Sequence, residues 1–154
     1  MSETSDTLYA RRLEAVRARA RDLGIDHVVV SSGEDMAYLT GERIDSHERL
    51  TALVVPVGDG DPVLVVPSLE LTDTTRRAAA RVGAEPQPWS DGTDPVPLVV
   101  GLVSGRVAVS GAFPALHLVP LQQGVDGRVV LATDVLDPVR AVKTPHEVEH
   151  LAEA

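Results

Sequence analysis

The stretch LTALVVPVGDGDPVLVVP, Leu50 to Pro67, decides the fold class. Two apolar runs, Leu50–Val55 and Val63–Val66, flank a turn from Pro56 to Pro62 built on Gly58-Asp59-Gly60. So short a connection makes the two strands antiparallel. Around this hairpin, helices and strands alternate. Tyr9, Leu13, Val16, Ala20 and Leu23 step by four and three residues. That spacing predicts one helix face, with Ser5 or Asp6 as cap, Gly24 as stop, and Arg11, Arg12, Arg17, Arg19 and Arg21 elsewhere on the surface. His27–Ser31 reads as a buried strand. Gly33–Gly41 reads as a loop with a short helical turn. Ser68 is the expected cap of a helix to about Val82, followed by a short strand near Ala84–Gln87. Asp94-Pro95 predicts a helix start running to Val103. Arg106–Ser110 and Val129–Ala132 read as strands. Pro114–Gln123 reads as a helix that Pro120 would disrupt. Strands alternating with helices, plus one hairpin, predict an α/β fold with a mixed sheet covered on both faces.

Composition narrows the function classes. The chain has 154 residues, 44 % hydrophobic and 24 % charged, enough for one domain with a real core. Acidic residues outnumber basic ones 23 to 14, for a net charge of -9. With no basic stretch to offset that charge, nucleic acid and anionic membrane surfaces are not expected partners. Cysteine is absent, which excludes disulfides and a thiolate nucleophile. The polar start and the shortness of the longest apolar run, near Leu98–Val103, point to a cytoplasmic protein.

The chain ends in Thr144-Pro145-His146-Glu147-Val148-Glu149-His150-Leu151-Ala152-Glu153-Ala154. This contains an H-E-x-x-H, in which His146 and His150 would bind zinc and Glu147 would act as general base. A catalytic zinc needs a third protein ligand, and only four residues follow His150. The preferred reading is local. Thr144 is the helix N-cap, Pro145 takes the first helical position, and Glu147 closes a capping box with Thr144. Val148, Leu151 and Ala152 then form an apolar stripe with no following element to meet. The helix reads as the opening of a second domain.

Four motifs in order carry a resemblance. Arg140-Ala141-Val142-Lys143-Thr144-Pro145-His146-Glu147-Val148-Glu149-His150-Leu151 resembles the junction R-x-[IV]-K-[ST]-x-x-E-[IVL]-x-x-[IL] of the creatinase/prolidase/Xaa-Pro aminopeptidase family. Asp35-Met36-Ala37-Tyr38-Leu39-Thr40-Gly41 looks like its N-x-x-Y-L-T-G, and Leu64–Glu70 like its L-V-V-P-x-x-E. The opening Tyr9–Leu13 through Leu23–Asp26 fits R-x-x-x-L…G-[IVL]-D. Asp35 departs from the usual Asn, and Glu42 from the usual aromatic.

The resemblance covers the whole chain as that family's N-terminal domain. It implies a three-layer α/β/α fold with a roughly six-stranded mixed sheet, ribonuclease H-like. Residues 1–142 would form the domain, and 143–154 the linker and first turns of a helix opening a C-terminal catalytic domain. It further implies a parent enzyme, an aminopeptidase or dipeptidase cleaving next to proline, with two divalent metals (Mn, Co or Zn) held in that second domain. This chain would bind none of them and would not catalyse. It would support a homo-oligomer, expected to be a dimer, and restrict substrate access. Residues just before the family's second strand can reach a neighbouring subunit's active site; by position these are His47 and Arg49. An Arg suits a substrate carboxylate through paired hydrogen bonds. The alternatives are a stand-alone binding or assembly module, and a zincin-like hydrolase using His146 and His150. Of the remaining residues, Tyr38 and Leu39 are expected to pack the loop onto the sheet, Trp89, in a Pro-rich loop, to be a plug over a helix rather than a ligand platform, and His27 and His117 to be packed or edge histidines rather than ligands.

Overall fold

The computed structural model describes residues 4–46, 48–143 and 145–153, with only the backbone described for His146 and His150. Helix α1 spans Ser5–Asp22 and buries Leu13, Val16 and Ala20. Its cap is Thr4, not Ser5 or Asp6: the Thr4 hydroxyl accepts from the Thr7 N–H at 3.4 Å. Gly24, at φ 69°, turns the chain out of the helix. Strand β1 (His27–Ser31) and helix α2 (Glu34–Thr40) follow. The expected loop is therefore largely helical, because Met36, Leu39 and Thr40 bury one side of it. The hairpin forms as β2 (Ala52–Pro56) and β3 (Val63–Pro67).

The helix expected from Ser68 is split. Ser68–Glu70 makes one 3-10 turn, and α3 runs Asp73–Arg81. Thr72 wins as cap because Thr75 reciprocates: each backbone N–H finds the other's hydroxyl, at 2.8 and 3.4 Å. Strand β4 (Glu85–Trp89) is longer than expected and takes in Trp89. Its Pro86 and Pro88 are tolerated because β4 is an edge strand. Next come α4 (Val96–Leu102), β5 (Val107–Val109) and α5 (Ala115–Gly124). Helix α5 passes through Pro120 unbroken, anchored by buried His117 and Leu121. Strand β6 (Val129–Leu131) leads into α6 (Thr133–Ala141), to which the sequence reading assigns no element; α7 spans Pro145–Glu153.

One six-stranded sheet has the order β4-β3-β2-β1-β5-β6. Strand β2 is antiparallel to both neighbours, with Val29 opposite Val54 and Leu53 opposite Leu64. The other pairs are parallel. Successive strand residues face opposite sides. Val28, Val30, Leu53, Val55, Leu64 and Val66 pack under α1, α2, α3 and α6. Val29, Ala52, Val54, Val65, Val107 and Val109 pack under α4 and α5. The protein is thus the expected α/β fold in three layers.

Candidate substrate-facing edge of the sheet

Because β2 alone runs backwards, its start lies beside the ends of the other strands. Ser31 pairs with Ala52, Ala52 with Val65, and Pro67 with Trp89. The segment 46–51 is thereby delivered to the carboxyl-end edge of the sheet. Open α/β sheets bind ligands outside this edge.

Arg49 stands on that segment and is held by Asp91, just past β4. Its Nε donates to Asp91 Oδ1 and its Nη2 to Asp91 Oδ2, both at 2.8 Å. This paired hydrogen bond raises the guanidinium pKa and holds the Asp91 carboxyl below the usual carboxylate range. Both side chains stay about half exposed, at 44 % and 52 %. The local backbone is pinned from two more elements. His117 Nε2 on α5 donates to the Glu48 carbonyl at 3.1 Å, and Trp89 Nε1 donates to the Leu50 carbonyl at 2.9 Å. The Ser46 hydroxyl donates to the Arg49 carbonyl. Trp89 is therefore a buried clamp at 8 % exposure, packed with Val96 and Val99 of α4, and it ends a strand where a loop was expected. His47, the other residue assigned here, lies outside the described residues.

Arg49 separates two cavities. One of about 410 Å³ is lined by Glu48, Glu70 and Asp91 besides Arg49 itself. The other, about 100 Å³, lies between Arg49 and the ends of β1 and β2.

A second cluster gathers the motifs. Arg12 was expected on the surface but is largely buried. Its guanidinium carbon lies 4.0 Å from the Tyr38 ring centre, and its Nη1 donates to the Tyr38 carbonyl at 2.7 Å. Its Nη2 forms an ion pair with Glu147 of α7. The Tyr38 hydroxyl donates to the Val139 carbonyl at 3.2 Å, and burial pushes the phenol pKa up. Three motifs far apart in sequence thus meet at one place. Gly41 closes the second of them at φ 73°, where a Cβ would run into the Tyr9 ring and hydroxyl.

The terminal H-E-x-x-H lies on α7, as expected of a helix start. Its candidate general base, Glu147, is engaged by Arg12. The cap Thr144 and the side chains of His146 and His150 lie outside the described residues. Among the described residues, no group of three or more His, Cys, Asp or Glu side chains is placed to hold a metal ion. Of the two expected structural histidines, His27 is half-buried at the start of β1, where the Ser104 N–H donates to its Nδ1 at 3.2 Å, and His117 is the buried clamp above. The Asp91 partnership is what sequence reasoning missed.

This fold, with its junction cluster, defines a class. The chain belongs to the creatinase/prolidase N-terminal domain family, whose model matches residues 12–142. It is 42 % identical over 150 residues to proteins named probable dipeptidase PepE in Mycobacterium bovis and Mycobacterium tuberculosis. The match takes in 96 % of this chain but 40 % of those relatives, so the chain spans well under half their length. The crystal structure of dipeptidase PepE from Mycobacterium ulcerans is similar at a TM-score of 0.89 and 42 % identity, over 99 % of this chain and 42 % of that one. The creatinase/prolidase N-terminal domain of an X-Pro dipeptidase from Streptococcus pyogenes aligns at a TM-score of 0.70 and 22 % identity. It covers 86 % of this chain and 99 % of its own, and shows the fold alone.

Proposed function

We propose that this chain is the non-catalytic N-terminal domain of a cytoplasmic dipeptidase of the Xaa-Pro type. One observation carries the reading: 42 % identity along 96 % of the chain to a probable dipeptidase, of whose length the match takes in 40 %. The parent reaction is hydrolysis of a peptide bond next to proline, and its two divalent metals (Mn, Co or Zn) belong to a second domain. The described residues of this chain do not fit such a metal pair, and no step of the chemistry is assigned to them. Residues 143–154 lead into that second domain.

The domain's own work is to support a homo-oligomer, a dimer, and to narrow the approach to the metal site. The stretch just before β2 that carries His47 and Arg49 is the part that faces substrate in a neighbouring subunit. Support comes from its place at the carboxyl-end edge and from the fixed presentation of Arg49 by Asp91. The test is a comparison of this chain with a longer product of the same reading frame. Metal-dependent cleavage of Xaa-Pro dipeptides by the longer product, and none by residues 1–154, supports the reading. Cleavage by residues 1–154 alone refutes it.

A further inference from the structure

Helices α4 and α5 contain no Asp, Glu, Lys or Arg. From Pro95 to Val125 the sole such residue is Arg106, and it turns toward the end of α1, where its Nη1 donates to the Leu23 carbonyl at 3.1 Å. In a chain that is 24 % charged, this one layer is uncharged. The opposite layer is charged along its outside, with Arg11, Glu14, Asp134 and Asp137 exposed. Helix α5 is apolar nearly all round. It buries His117 and Leu121, yet Leu116 is 67 % exposed and Val119 51 %. Three residues apart, these two share one outward face. Leu131, also exposed, pairs with Val109 and so points to the same side of the sheet, on the edge strand β6. The two helices approach closely, since a Cβ on Gly124 would stand 2.8 Å from Val100 Cγ2. A helix without a polar face is normally covered, and no element among the described residues covers Leu116 and Val119.

We propose that the outer face of α4 and α5 is a self-association surface that seats the same face of a second copy. Charge decides the occupant. Each copy carries a net charge of -9, so two copies repel wherever acidic surfaces meet. Here they touch without burying a like-charged pair. A different protein steered to so acidic a chain would set basic residues against acidic ones, and this face offers none. Its exposed polar residues, Gln122 and Gln123, are self-complementary: an amide both donates and accepts, so each can pair with its own copy. The second domain of the proposed parent is not the occupant, because α7 is tied through Glu147 to Arg12 of α1, in the opposite layer. The face also adjoins the stretch before β2. His117 of α5 holds the Glu48 carbonyl at 3.1 Å, which sets Arg49 at the rim of the contact. The inference rests on the homo-oligomer reading above and names its surface; it does not need the parent to be a peptidase.

Sedimentation equilibrium of the purified 154-residue chain tests this, with amide NMR spectra recorded across the same dilution. Two helices side by side along the length of α5 give a face of about 300 Å² in plan, below the about 800 Å² per partner of a standard interface. The dimer should therefore be weak, with a Kd on the order of 100 µM, and tighter at high salt, where repulsion between the copies is screened. Dilution should move the amides of Leu116, Val119, Gln123 and Leu131 and leave those of Val148 and Leu151 in place. Leu116→Glu sets like charges across the contact and should weaken pairing about tenfold or more. Leu151→Glu, at a residue 65 % exposed on α7, should leave pairing unchanged. Urea unfolding checks that both variants fold; if Leu116→Glu does not, Gln123→Glu provides the same readout. A monomer at every concentration overturns the proposal. So does pairing that survives the charge on α5, or that is lost with the charge on α7. Cleavage by the longer product is read separately: a monomer beside intact cleavage sinks this surface alone, and pairing without cleavage sinks the peptidase reading alone.

Discussion

Arg140 donates from Nη1 to Asp35 Oδ1 at 2.9 Å, joining residues 105 positions apart. Asp35 is the residue that departs from the family's usual Asn, and Arg140 opens the junction motif. The departure thus creates an ion pair between α2 and α6, with Asp35 only 16 % exposed. Asp35→Ala and Arg140→Ala should each destabilise the fold, and a double-mutant cycle by urea unfolding should give a coupling of about 0.5–1 kcal/mol. Asp35→Asn should lose that coupling while keeping the helix. A coupling of zero at low salt would show that the two side chains act independently.

Glu42 is the second departure, and it too has gained cations. Its carboxylate accepts from Arg77 at 2.6 Å and from Arg81 at 3.1 Å. The Arg77 hydrogen bond is the main reason its pKa lies below the usual glutamate range. A carboxyl whose folded pKa is depressed adds stability above its unfolded pKa and loses it as pH falls through the folded one. Unfolding midpoints measured against pH should therefore fall off less steeply in Glu42→Gln, below the ordinary glutamate range near 4.5. Identical acid limbs would remove Glu42 from the account.

Gly41→Ala tests the close approach of α1 to the end of α2. Both the left-handed φ of 73° and the Tyr9 ring oppose a side chain there. The expected loss exceeds about 1 kcal/mol in chemical denaturation. A neutral substitution would mean that the helix end and the ring separate readily.

Trp89→Phe keeps the buried ring but removes the donor to the Leu50 carbonyl. It should cost about 1 kcal/mol and speed amide exchange at 48–50, leaving exchange in β1 unchanged. Uniform acceleration across the sheet would instead mark Trp89 as general core packing.

The central strands were legible because they are continuous apolar runs, buried on both faces, with turn residues between them. Strands β1 and β3 match their sequence reading within a residue, and the hairpin is antiparallel as its short turn requires. Helix α6 was not legible. Pro138 interrupts its pattern, and what holds it is the burial of Val135 and Leu136 in the same core as α1. The choice of Thr72 over Ser68 as cap depended on a reciprocal bond from Thr75. The placement of Arg49 just before β2 could be read from position. Its partner could not, since Asp91 lies 42 residues on and reaches it only through the parallel pairing of β3 with β4. Arg12 was misplaced because a helical repeat shows which residues face the sheet, not which arginine a tyrosine on another helix will cover.

The most direct test is to express this chain beside a product extended along the same reading frame, and to assay both for cleavage of Xaa-Pro dipeptides with and without Mn, Co or Zn. The account predicts metal-dependent cleavage by the extended product and none by residues 1–154. Cleavage by the 154-residue chain itself, or a frame that closes after Ala154, would contradict it.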